Sequence, residues 1–198
     1  MSAGNHFADF AVEYRSRLSS ALDRVDTEKV AQAIDWLRQA RDDGRSIFVC
    51  GNGGSASTAS HFACDIVKGA SYKQQQRFRI MALNDSLPTL TAYSNDVGYD
   101  CVFAEQLRNF AAPGDVVMAL SGSGNSANVV NAIEYANSIG CRTIALSGRD
   151  GGKLAPMAQL SIHVAEPHMG RIEDAHMMVC HMICYYFMER ESSGPACA

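Results

Sequence analysis

The chain is predicted to fold as an α/β three-layer sandwich, a five-stranded parallel sheet preceded by N-terminal helices, on three observations. Five short β-rich runs, Ser46–Cys50, Phe78–Leu83, Asp115–Leu120, Arg142–Ser147 and Leu160–Val164, alternate with helical stretches. Strands separated by helices need crossover connections, and crossovers make a sheet parallel. Ile47-Phe-Val-Cys50 and Val116-Val-Met-Ala-Leu120 are continuously apolar, as strands covered on both faces must be. Two of the runs lead into glycine-and-serine loops, Cys50-Gly-Asn-Gly-Gly-Ser55 and Leu120-Ser-Gly-Ser-Gly-Asn-Ser126, each opening a helical stretch.

Taken in order, residues 7–22 and 27–42 read as two helices, because Phe7, Phe10, Ala11, Tyr14, Leu18 and Leu22, then Val30, Ala33, Ile34 and Leu37, recur at three-to-four spacing. Thr27 before Glu28 is the expected cap of the second, and Asp42-Asp43-Gly44 its end. Further helices are expected at 55–69, 101–111, 126–139 and 171–190. The last carries Met, His, Cys and Tyr around most of its circumference, so it should be buried in the core and against a neighbouring subunit. Residues 192–198 read as a loose tail.

A chain of 198 residues that is 47% hydrophobic and 19% charged has enough material for one core, so a single domain over 1–198 is expected. Its first 44 residues pack on the sheet or on a neighbour, and 45–190 form the parallel-sheet core and the long last helix. A net charge of −4 gives no electrostatic case for nucleic acid or an anionic membrane surface. No stretch resembles a secretory signal or approaches membrane-spanning length, so a cytoplasmic location is expected. Seven cysteines without close ligand pairs read as reduced, mostly buried thiols.

The two loops read as phosphate cradles, since glycines let backbone approach an anion while hydroxyls and helix-start amides donate to it. In a parallel sheet both would lie beyond the carboxyl ends of the strands, where ligands bind. Neither loop fits a dinucleotide or Walker motif, so NAD and ATP are disfavoured and a phosphorylated small molecule is expected. His61 and Asp65, four apart on one helix face, suit a metal pair, an acid/base pair or a surface hydrogen bond. Glu173 and Asp174 in a first helical turn can simply complement the helix dipole, and His181 can be a satisfied core histidine. Glu173 and His181 are eight residues apart, about 12 Å along a regular helix and ~80° around it, so sharing one ligand demands a strained reach or two subunits.

Gly51-Asn-Gly-Gly-Ser55, His61-Phe-Ala, Thr91-Ala-Tyr-Ser-Asn-Asp96, Ser121-Gly-Ser-Gly-Asn-Ser126, Asp150-Gly-Gly152 and Arg171-Ile-Glu-Asp-Ala-His176 through His181 together resemble the sugar isomerase (SIS) fold. Within it they resemble the sedoheptulose 7-phosphate (phosphoheptose) isomerases, over nearly the whole chain. The resemblance implies a flavodoxin-like sheet, a homotetramer with sites at subunit contacts, and an aldose–ketose isomerase working through an enediol in lipopolysaccharide or capsule precursor synthesis. It places the phosphate on Ser121, Gly122, Ser123 and Ser126, and the sugar on Asn52, Gly53 and Ser55, with Asn95, Asp96 and Glu173 beside them. Asp65 is then the base, His181 the acid, and His61, Asp65, Glu173 and His181 a set for Zn²⁺. Two positions depart from the family pattern: Asp65 stands where glutamate is usual and Glu173 where glutamine is, so a different ketose phosphate is the second expectation. A non-catalytic member of the fold, binding the replication initiator DnaA or sensing sugar phosphates, is the third.

Overall fold

The computed structural model describes residues 6–191, so the 192–198 tail and Cys197 lie outside the described residues. Two helices come first, α1 (His6–Leu22) and α2 (Thr27–Asp42). Asp26, not Thr27, caps α2: its carboxylate accepts from the amides of Glu28 and Lys29. A carboxylate one residue earlier reaches the free N–H groups of the first turn, which leaves Thr27 inside the helix.

Strand β1 (Ser46–Gly51) is followed by α3 (Gly54–Cys64), which passes into a π-helical turn at Asp65–Ala70. The expected single helix over 55–69 is thus two segments of different pitch. Then come β2 (Arg79–Ala82), α4 (Leu87–Asp96), α5 (Val102–Phe110), β3 (Val116–Ser121), α6 (Ala127–Ser138), β4 (Arg142–Gly148), the single turn α7 (Leu154–Met157), β5 (Leu160–Val164) and α8 (Met169–Arg190). α4 and α7 were not legible in the sequence, and α8 begins two residues before Arg171.

All neighbouring strands pair in parallel, in the order β2-β1-β3-β4-β5. One row of side chains, including Ile47, Val49, Met118, Leu120, Ile144 and Ile162, packs under α2, α3 and α8. The alternate row, including Phe48, Cys50, Val117, Ala119 and Ala145, packs under α5 and α6. Both faces are therefore covered, which explains the continuous apolar runs. The strand order reverses direction between β1 and β3, and the loops after these two strands are the glycine-and-serine loops. A crevice at such a reversal is where ligands of open parallel sheets bind.

Within one chain α8 is buried on one side only. Ile172, Ala175, Val179, Cys180, Ile183, Cys184 and Phe187 are buried, but Met178, Met182 and Tyr185 leave 40–48% of their surface exposed. Of the described cysteines, Cys50, Cys141, Cys180 and Cys184 are buried, Cys101 is half-buried and Cys64 is exposed, all as free thiols.

Candidate functional site

β3 delivers Ser121 at its carboxyl end, and the chain turns through Gly122–Asn125 into α6. The Ser121 hydroxyl lies 3.3 Å from that of Ser126 and 3.5 Å from that of Ser123, so three hydroxyls form one cluster. Ser126 occupies the cap position of α6, yet its side chain bonds no amide of the helix. Its hydroxyl is turned toward the loop, leaving the helix start without a side-chain cap. The amides of Gly124 and Asn125 donate to Ser121 Oγ (3.1 Å) and Ser123 Oγ (3.2 Å). Gly124 has a φ of +64°, and an added Cβ would overlap the Gly151 carbonyl. Only glycine fits there, because the loop at 149–152 closes on the serine loop, with Leu154 N donating to Gly124 O and Lys153 N to Asn125 Oδ1.

The first loop is coupled to the second. Asn52 and Asn128 exchange amide hydrogen bonds of 2.8 and 3.0 Å, and the Tyr99 hydroxyl donates to Asn52 Oδ1 at 2.7 Å. Asn52 thus ties β1's loop to α6 and to the turn after α4. Gly53 (φ +55°) and Gly54 start α3, again without a side-chain cap. The Glu173 carboxylate of α8 lies against this helix start, its atoms 2.5 Å from where a Cβ of Gly54 would be. Ser55 is buried beneath, while Asn95 and Asp96 pair at 2.7 Å on the exposed end of α4.

A second cluster forms where α3 crosses α8. His61 Nε2 and His181 Nε2 are 3.0 Å apart, and Asp65 Oδ2 lies 3.2 Å from the first and 3.7 Å from the second. Helical i,i+4 spacing places His61 beside Asp65, and the packing of α8 against α3 brings in His181. Two imidazole nitrogens and a carboxylate oxygen converging on one point is an arrangement that a cation relieves. The three separations bracket the roughly 3.3 Å ligand–ligand distance of a tetrahedral Zn²⁺ site with ~2.0 Å bonds, leaving a fourth position for water or substrate. All three donor atoms lie within 4.8 Å of one another, and Glu173 is not in the group. Of the four expected metal-ligating residues, one chain gathers three; Glu173 is outside the group, eight residues or ~12 Å before His181 along α8.

The ground beneath is apolar. Burial first, then the Asp65 carboxylate, pushes the Cys184 thiol up to about 12. Its Sγ is 3.6 Å from Asp65 Oδ2 and also 3.6 Å from the His181 carbonyl. At the N-terminal end of α8, Arg171 bonds Glu166 through Nε and Nη2 (3.0 and 2.7 Å), both side chains buried. Burial raises the Glu166 pKa, but that guanidinium and the His168 amide more than offset it and hold the carboxyl below its usual range. Tyr14 of α1 donates to Asp174 at 2.6 Å, and this bond above all raises its phenol to about 12.

Asn128, Tyr99 and Cys184 were missed by sequence reasoning. A buried asparagine, a loop tyrosine and a helical cysteine carry no motif of their own, and only the crossing of elements gives them neighbours.

Comparisons with known proteins agree with this geometry. The SIS domain family matches residues 10–148. A probable phosphoheptose isomerase of Thermoplasma volcanium is 39% identical over 173 residues, which is 87% of this chain and 86% of the relative. The solved phosphoheptose isomerase of Neisseria gonorrhoeae superposes with a TM-score of 0.83 at 34% identity, covering 91% of this chain and 95% of that one. The phosphoheptose isomerase structure from Francisella tularensis gives 0.86 over 96% of this chain and 100% of that one, and at 23% identity it supports the fold alone.

Proposed function

The chain belongs to the SIS domain family, among the phosphoheptose isomerases, and on that footing we infer that it is an aldose–ketose isomerase converting sedoheptulose 7-phosphate to glycero-manno-heptose 7-phosphate. The observation that carries the chemistry is the meeting of Asp65 and His181, 3.7 Å apart across two helices. The phosphate is proposed to sit on Ser121, Gly122, Ser123 and Ser126, where hydroxyls and an uncapped helix start converge. Gly53, Ser55, Asn95, Asp96 and Glu173 are proposed to face the sugar, with Asn52 holding the first loop in shape through Asn128 and Tyr99.

The reaction follows from the groups. Asp65 removes a proton from C1 of the open-chain ketose, and the electron pair becomes the C1=C2 bond as O2 takes a proton from His181. Asp65 then returns the proton to C2 while O1 gives its proton to His181 and becomes the aldehyde oxygen. His61 Nε2, Asp65 Oδ2 and His181 Nε2 of one chain are proposed to hold Zn²⁺, which would polarise the sugar carbonyl and stabilise negative charge on the enediolate oxygens; with Nε2 so engaged, the proton that His181 exchanges is proposed to be the one on Nδ1. The contacts of the carboxylate with His61, His181 and Cys184 all fall on Oδ2, and Oδ1 is proposed to be the oxygen that takes the substrate proton.

Assembly is proposed as part of the site. His61 lies seven residues past Gly54, ~10 Å along α3, so the loops and the histidine cluster of one chain are well separated. The exposed apolar side chains Phe7, Phe10 and Val12 on α1, and Met178, Met182 and Tyr185 on α8, are surfaces that a second subunit would cover. A homotetramer with sites at subunit contacts accommodates both facts. No helix among the described residues is long and apolar enough to cross a membrane, and a cytoplasmic location is proposed.

The test is direct. Purified protein, with and without added Zn²⁺, is incubated with sedoheptulose 7-phosphate and aldose formation is followed by NMR. Conversion supports the reading; an inert protein that converts a different ketose phosphate moves the substrate, and one inert on every ketose phosphate overturns it.

A further inference from the structure

Asp65 is approached from three sides on the same oxygen. His61 and His181 face Oδ2 from the site, and behind them the Sγ of Cys184 reaches it at 3.6 Å from the buried side of α8. Cys184 stands three residues after His181, one helical turn on, so a single segment of α8 supplies one group on the open side of the carboxylate and one on its closed side. We propose that Cys184 is a positioning residue, its thiol donating a hydrogen bond to Asp65 Oδ2 and thereby fixing which carboxylate oxygen faces the histidines and which faces the substrate.

The alternative acceptor for this thiol is the His181 carbonyl, also at 3.6 Å. A carboxylate accepts more strongly than an amide carbonyl already within a helix, so the charged oxygen takes the larger share. A neutral donor suits the place, because a charged group behind Asp65 would be buried without solvent. The backbone of Asp65 is held in the helix, its N–H donating to the His61 and Phe62 carbonyls, but its side chain still has two rotatable bonds. Without the thiol, either oxygen can rotate toward His61 and His181. Partners behind a metal-binding or catalytic carboxylate act in this way, orienting the group without touching substrate.

This inference rests on the isomerase reading, and the experiment separates the two. Cys184→Val keeps a buried apolar side chain of similar volume and removes the donor; Cys184→Ser keeps a donor. For each, kcat and KM on sedoheptulose 7-phosphate, the Zn²⁺ dissociation constant by competition with a chromophoric chelator, and the unfolding midpoint are measured. The expected result for Cys184→Val is about a tenfold loss in kcat and about a tenfold weaker hold on Zn²⁺, the low end for loss of an orienting partner, with KM within twofold. Cys184→Ser is expected to stay within threefold of the parent protein in both. Unchanged kcat and Zn²⁺ affinity in Cys184→Val overturns the inference, as does a Cys184→Ser variant equally impaired, which would mean that packing alone matters. Cys184→Ala serves as the donor-free variant if Cys184→Val does not fold. A parent protein inert on every ketose phosphate overturns the isomerase reading, and this inference with it.

Discussion

A methyl group on Gly54 would lie 2.5 Å from the carboxylate of Glu173, so the smallest residue at the start of α3 is what lets an acidic side chain rest there. The backbone of Gly54 is not left-handed, and the overlap is with the flexible end of a side chain, so Gly54→Ala is expected to fold. Glu173 must then move, and a displacement of about 1 Å near reacting atoms costs roughly 10- to 100-fold in rate. Steady-state kinetics should show that loss in kcat/KM with an unfolding midpoint within a few degrees of the parent; unchanged kinetics would remove Glu173 from the sugar site. His181→Ala should lose about 10²- to 10⁴-fold in kcat, the usual worth of a positioned acid, while stability is little changed because the side chain is 41% exposed. The residues of this site were half legible beforehand. Spacing alone paired His61 with Asp65, whereas the link from Asp65 to Cys184 depends on how α8 crosses α3, which no local pattern encodes.

Among the elements, the strands and long helices were readable because burial repeats with their period: Val30, Ala33, Leu37 and Ala40 mark one face of α2. α4 was not, since none of its residues is buried in the chain and no apolar stripe forms. The π-helical turn after α3 was invisible for a different reason: Asp-Ile-Val-Lys-Gly-Ala carries no mark distinguishing a wide turn from an ordinary one. Gly69 within it accepts the end of Met188 where a Cβ would stand. Gly69→Ala should therefore push the flexible Met188 thioether aside without moving the helices, costing about 1 kcal/mol or less in urea unfolding. Because that turn begins at Asp65, kcat should stay within about twofold of the parent if Met188 alone moves, and a larger loss would show that the turn itself has shifted.

For the whole molecule, two expectations concern stability and assembly. His176 is buried, and burial first of all pushes its pKa from 6.5 down to about 4, against the opposing pull of the nearby Ser147 backbone. The unfolded chain binds this proton below pH 6.5 and the folded chain only near pH 4, so stability is full above 6.5 and falls as pH drops toward 4. The loss is about 3 kcal/mol, and urea melts across that window should show a shallower slope in His176→Leu. Assembly has its own test. If loops of one subunit work with the histidine cluster of another, a Ser123 variant unable to hold phosphate and a His181→Ala variant, each inactive alone, regain activity when their subunits are mixed; no recovery would place each site within one chain.

Proposed as the base, Asp65 carries the proton between C1 and C2, and deuterium exchange reports that transfer. The parent protein and Asp65→Asn are incubated with sedoheptulose 7-phosphate in deuterium oxide and label at C1 and C2 is followed by NMR. Rapid incorporation is expected with the parent protein and at least a hundredfold slower incorporation with Asp65→Asn, at an unchanged unfolding midpoint. Exchange at the parent rate in Asp65→Asn would mean that another group moves the proton.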